Sequence, residues 1–144
     1  MAYYPIPFRD RFHPGPGPFP DHVLRLIHDL STGIVVTDPN RPDNPIVYVN
    51  EGFTTMTGFR ADEVIGCNCR FLQGPGSDMN TVALMRDLLR SRIPFTVELL
   101  NYRKDGAPLP VRLFVIPIFD PSGRLLYYAG IHHALSARPE LPEP

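Results

Sequence analysis

Cys67 and Cys69 are the two cysteines of the chain, one residue apart in GCNCRFLQGPGSD (Gly66–Asp78), among Asn68, Arg70 and Gln73. Thiols in that company admit three chemistries. Cys67 and Cys69 with His132 and His133 could offer four ligands, but structural zinc takes cysteines two to four residues apart, so no metal centre is expected. A nucleophilic thiolate needs a neighbouring base or a cationic setting. Arg70 brings charge, yet no His–Asp pair stands out, so a ground-state cysteine hydrolase stays open without an identified base. The third chemistry comes from spacing. If Cys69 opens a helical turn, Leu72 and Gln73 share its face while Arg70 turns away. A thiol over a ring, with an amide and a guanidinium along a tail, suits a planar, phosphate-bearing cofactor. Arg86 could complete an anion clamp, although taken alone it reads as a snorkelling surface side chain.

The elements that must position these groups are marked by turn chemistry and periodicity. Asp21 can cap a helix through Leu30, and GIVVTD (Gly33–Asp38) and IVYV (Ile46–Val49) read as strands around the turn-rich PNRPDNP. Asn50 to Gly58 and Arg60 to Ile65 read as short helices closed by glycine. Ser77–Arg92 is a longer helix, capped by Ser77 and Asp78 and stopped before Pro94, with Val82, Leu84, Met85, Leu88 and Leu89 on one apolar arc and Arg86 at its border. Phe95–Arg103, Ala107–Phe119 and Arg124–His133 form a meander through the Asp105–Gly106 turn and DPSG. Strands separated by a helical block argue α+β with an antiparallel sheet rather than a βαβ sheet. Alternation then puts Asn101 and His132 on otherwise apolar faces, where a buried polar group needs a partner; the plain alternative is that both sit at solvated strand ends.

A chain of 144 residues with 43% hydrophobic and 20% charged residues is one globular domain's worth. A net charge of -1 gives no footprint for nucleic acid or an acidic membrane. The chain has 18 prolines, and Pro5, Pro7, Pro14, Pro16, Pro18 and Pro20 crowd residues 1–20. The ends therefore read as extended or disordered tails. No signal peptide or apolar run of membrane-crossing length is evident, and closely spaced unpaired thiols suit a reducing compartment, by default the cytoplasm.

The run NCRFLQGP (Asn68–Pro75) resembles the signature of LOV (light-oxygen-voltage) domains, flavin-binding members of the PAS superfamily. TDPNRPDNPIVYVN (Thr37–Asn50), LLNYRKDG (Leu99–Gly106) and YYAG (Tyr127–Gly130) fall where that family has like segments, so the likeness covers about Gly33 to His132. It implies a PAS fold: a five-stranded antiparallel sheet with short helices and one long helix on one face. The expected organisation is a Pro-rich extension over 1–20, an N-cap helix over 21–32, a LOV/PAS core over 33–133 and a short tail over 134–144. By position, the resemblance makes Cys69 the thiol that bonds flavin C4a after blue light is absorbed and that releases it in darkness. Arg70 and Arg86 would contact the phosphate of FMN, Asn44, Asn68 and Gln73 the ribityl chain and nearby polar atoms, and Asn101 the polar edge of the ring. Val35, Thr37, Leu72, Val82, Met85, Leu89, Leu113, Val115, Tyr128 and Gly130 would line the pocket. The short GPGS link leaves little room for an adenine-binding insertion, which favours FMN over FAD. Cys67 matches no functional position.

Two residues depart from the pattern of that family. Val111 stands where an asparagine usually meets the ring edge, so weaker flavin binding or a substituting water is expected. His132 stands where a glutamine usually senses N5, so an imidazole titrating near neutrality and a pH-sensitive dark recovery are expected. The chain resembles the short LOV proteins, which carry no attached effector. Signalling would then pass through a homodimer or a separate partner, with Leu100, Tyr102, Phe114, Ile116, Tyr127 and Ile131 on the outer sheet face. Two further classes stay open: a dark-active flavin redox sensor or storage protein, and a cofactor-free PAS interaction module.

Overall fold

The computed structural model describes residue 28 and residues 30–135. The extension over 1–20, the body of the helix expected over 21–32 and the tail beyond residue 135 lie outside the described residues. The described chain runs β1 (Gly33–Thr37), β2 (Ile46–Val49), α1 (Glu51–Thr57), α2 (Ala61–Val64), a 3-10 turn (Cys69–Leu72), α3 (Met79–Ser91), β3 (Phe95–Tyr102), β4 (Pro108–Phe119) and β5 (Leu125–Ala134). The strands form one five-stranded sheet in the order β2-β1-β5-β4-β3, every pair antiparallel. The α+β class and the antiparallel sheet are as expected. Strand β5, last in sequence, lies at the centre, and it joins the amino-terminal hairpin to the meander.

Asn50 fixes the junction between sheet and helices. Its fully buried amide accepts hydrogen bonds from the Phe53 N–H at 3.0 Å, capping α1, and from the Ile34 N–H at 2.7 Å, and it donates to the Thr32 carbonyl at 2.8 Å. Gly58 ends α1 at a φ of 79°, a left-handed position that glycine takes without a Cβ clash. Asp78 caps α3 by accepting from the Asn80 N–H at 2.9 Å.

Two inner clusters carry the core. Val35, Ile46 and Val49 of the sheet pack with Phe53 of α1, Val64 of α2 and Leu72 of the 3-10 turn. Phe95, Leu113, Val115, Leu125 and Tyr128 pack with Met85, Leu88 and Leu89 of α3. Yet no residue of α3 is fully buried, and Leu84, expected on its apolar arc, is 51% exposed. The helix stands off the sheet and walls a cavity, so Val82, Met85 and Leu89 face that space. Tyr128 bridges the gap: its hydroxyl, rising from β5, donates to the Leu89 carbonyl.

The outer-face expectation needs one correction. Leu100 and Tyr102 are not part of an open apolar surface, because the Gly74–Ser77 link folds against them. The Tyr102 hydroxyl accepts from the Gly76 N–H at 2.6 Å, and a Cβ on Gly74 would stand 2.4 Å from the Tyr102 ring. Glycine is required there for close approach. Phe114 does stay exposed, opposite Ile131 of β5.

Candidate functional site

A cavity of about 470 Å³ lies between the sheet and α3 and touches both inner clusters. That volume falls in the range of small-molecule and cofactor sites. Its floor is the inner sheet face: Val35 and Thr37 from β1, Phe95, Leu99 and Asn101 from β3, Leu113 and Val115 from β4, and Tyr128, Gly130 and His132 from β5. The period-two alternation of the strands makes this floor, since every second side chain points to one face. Cys69, Arg70, Leu72 and Gln73 reach it from the 3-10 turn and its cap, and Met79, Val82, Met85, Arg86 and Leu89 from α3. Asp43, Asn44 and Asn68 come from the intervening loops.

The 3-10 turn is set by Asn68, whose side-chain oxygen accepts from the Arg70 N–H at 2.9 Å and caps it. A 3-10 turn eclipses residues three apart, so Cys69 and Leu72 share a face. Burial pushes the Cys69 thiol up to about 12, with Cys67 adding to the rise. The thiol is thus neutral at physiological pH, which rules against a ground-state thiolate nucleophile. Cys67 is exposed, as its lack of a role suggested.

The polar groups are matched to something other than the protein. Asn44 Oδ1 and His132 Nδ1 are buried without a hydrogen-bond partner among the described residues, and both residues face the cavity. Asn101 is 3% exposed on the apolar floor, and its amide has no side-chain hydrogen bond among the described residues. Buried orphans cost about 1–3 kcal/mol each, which a bound ligand with polar edges would offset. Arg70 and Arg86 put two cations beside these amides. An apolar slot with amides, a neutral thiol and two guanidinium groups fits a planar ring carrying a hydroxylated, anionic tail. Among the described residues no group of three or more metal-ligating side chains occurs, and no helix is long and apolar enough to cross a membrane.

Of the residues expected at the site, only Val111 is not on the cavity surface. It is fully buried on the same sheet face as Leu113, paired across the sheet with Leu99, and does not reach the cavity surface. His132 departs differently. Burial drives its imidazole down to about 4, with the Gly33 backbone opposing and His133 adding to the fall. It therefore does not titrate near neutrality as expected, because the ring is enclosed on the sheet floor and not at a solvated strand end.

Sequence reasoning missed Asp43, Met79, Phe95 and Leu99 on the cavity wall. Phe95 and Leu99 had the right alternation. Met79 is three residues before Val82 and seven before Arg86, a helical spacing that could have found it. Nothing in the sequence singled out Asp43.

Residues 31–137 match a family model described as PAS domain. Phototropin-2 of Oryza sativa subsp. japonica is 47% identical over 110 residues, which are 76% of this chain and 12% of that protein. A blue-light photoreceptor of Listeria monocytogenes is 40% identical over 111 residues, 77% of this chain and 44% of the relative. A blue-light-activated histidine kinase of Brucella anthropi is 41% identical over 105 residues, 73% of this chain and 20% of the kinase. The chain thus spans less than half the length of these relatives. Among solved structures, "Flavin Analogue Sheds Light on Light-Oxygen-Voltage Domain Mechanism" superposes with a TM-score of 0.75 at 41% identity, covering 80% of this chain and 85% of the other. "The light state structure of the blue-light photoreceptor Aureochrome1 LOV" gives 0.71 at 38% identity, covering 81% and 88%.

Proposed function

The chain belongs to the PAS domain family as a light-oxygen-voltage (LOV) domain, and on that premise we propose that it is a blue-light photoreceptor holding FMN. Bound flavin would supply the light absorption and, once excited, a ring able to take the Cys69 proton at N5 and its sulfur at C4a, both being returned in darkness. The observation that carries this reading is a neutral Cys69 thiol on the wall of a cavity that also presents apolar side chains, the unpartnered Asn44 Oδ1 and His132 Nδ1, and the guanidinium groups of Arg70 and Arg86.

Each of the chain's own groups has a task in this reading. Cys69 keeps its proton in the dark, so no base is needed beside it and the thiol waits unreactive. Val35, Leu72, Val82, Met85, Leu89, Leu113 and Val115 exclude water from the ring. Asn101 and His132 answer its polar edge, and Asn44, Asn68 and Gln73 hold the ribityl chain. Arg70 and Arg86 bind the phosphate, which favours FMN over riboflavin. Thr37, Tyr128 and Gly130 complete the floor. Val111 packs in the core beside that floor.

The output would be non-enzymatic, through a homodimer over the outer sheet face around Phe114, Ile116 and Ile131 or through a separate partner in the cytoplasm. Reconstitution with FMN tests the light chemistry. Wild type should turn yellow, bleach under blue light and recover in darkness, while Cys69→Ala should stay yellow without bleaching. A protein that remains colourless with added flavin would mark an interaction module. A yellow wild type that never bleaches would mark a dark redox protein.

A further inference from the structure

Asp43 holds the cationic rim of the cavity twice over. Its carbonyl accepts from Asn68 Nδ2 at 2.8 Å, and its carboxylate pairs with the Arg70 guanidinium. Asp43 and Asn44 take φ angles of 68° and 46°, left-handed positions that Asp and Asn accept more readily than most residues. The β1–β2 loop thereby turns Asp43 onto the 3-10 turn, across 27 residues of sequence.

The ion pair is too wet to be explained by folding. The Arg70 and Asp43 side chains are 57% and 60% exposed, and pairs of that kind contribute little to stability. Its effect falls on the cavity, which Asp43, Arg70 and Arg86 all line. Of the two arginines, Arg70 is already paired, whereas Arg86 has no ion pair among the described residues. A phosphate entering this rim meets one open cation, one cation shared with a carboxylate, and the carboxylate itself.

Resting on the flavin reading above, we infer that Asp43 is a specificity residue: its carboxylate competes with the ligand phosphate for Arg70 and thereby lowers the preference for phosphorylated over unphosphorylated flavin. Arg86 is then the first anchor of the phosphate, and Arg70 joins only by loosening its hold on Asp43. The neutral ribityl chain and ring do not feel this competition.

Titration of flavin-free protein with FMN and with riboflavin, read by quenching of flavin fluorescence, tests the inference. Asp43→Asn keeps the left-handed tolerance and the backbone bond to Asn68 but removes the charge. It should tighten FMN by roughly threefold to tenfold, the scale of one partly screened charge, and leave riboflavin within about twofold. The gain should shrink in high salt. Arg86→Ala should weaken FMN more than Arg70→Ala does in wild type, and the two should become alike once Asp43 is Asn. Unchanged or weaker FMN binding by Asp43→Asn, with wild type still binding FMN, overturns the role of Asp43 and leaves the flavin reading standing. Wild type that binds neither flavin overturns both.

Discussion

Phe53 of α1 meets His132 of β5 edge-on, with ring centroids 5.8 Å apart and planes inclined at 70°. The contact closes the apolar side of the imidazole while its Nδ1 has no partner among the described residues. A ring so enclosed resists protonation, and that has consequences for stability.

His132 binds its proton in the unfolded chain near 6.5 but in the folded chain only near 4. Between those values the unfolded state holds more protons, so stability falls as pH drops through the window and is indifferent to His132 above it. The slope from this one group approaches about 1.4 kcal/mol per pH unit. Urea unfolding of wild type and His132→Gln at several pH values should show a shallower acid loss in the variant. Parallel curves would remove His132 as a source of the loss.

The two thiols should differ sharply in reactivity. Exposed Cys67 is open to iodoacetamide, whereas Cys69 is held as the neutral form by burial. Mass spectrometry of flavin-free protein at neutral pH should find Cys67 alkylated well before Cys69. Equal labelling would show that burial does not protect the Cys69 thiol in the flavin-free protein.

Gly74→Ala would press a methyl group into the Tyr102 ring, at 2.4 Å in the present geometry. Overpacking of this kind costs about 1–3 kcal/mol. Tyr102→Phe alone should cost about 1 kcal/mol by losing the bond from the Gly76 N–H. Adding Gly74→Ala to a Tyr102→Ala background should then be far milder, which denaturant midpoints can establish.

Asn50→Ala would strand the Ile34 and Phe53 N–H groups and the Thr32 carbonyl. A loss of about 2–4 kcal/mol in unfolding free energy is expected, since unsatisfied buried groups cost about 1–3 kcal/mol each and some will rehydrate. A loss below about 1 kcal/mol would mean that water replaces the amide fully.

Val111→Asn places an amide at a fully buried position off the cavity surface. It should lower stability by about 1–3 kcal/mol without tightening flavin binding. Tighter binding would show that the longer side chain reaches the cavity.

Much of this molecule could be read locally. Turn residues at Asp105–Gly106 and DPSG, alternation in β3 and β4, and the capped Ser77–Arg92 segment reflect forces acting over a few residues, and each element formed where those forces pointed. The Asn68–Pro75 run marked Cys69, Arg70, Leu72 and Gln73, all of which face the cavity. Asn101 stood out because an amide on an apolar face demands a partner. By contrast, Leu84 has the periodicity of a buried residue and is exposed, because periodicity defines a face but not whether the sheet comes up to meet it.

The sequence by itself determined the strands, the helices and the chemical kinds of group available, because backbone propensity and side-chain period act between near neighbours. Only the tertiary structure decided that Asp43 lies on Arg70, that Val111 is buried off the cavity surface and that His132 is enclosed by Phe53. Charge pairing and desolvation depend on distances through space, and those are set when β5 comes to lie between β1 and β4.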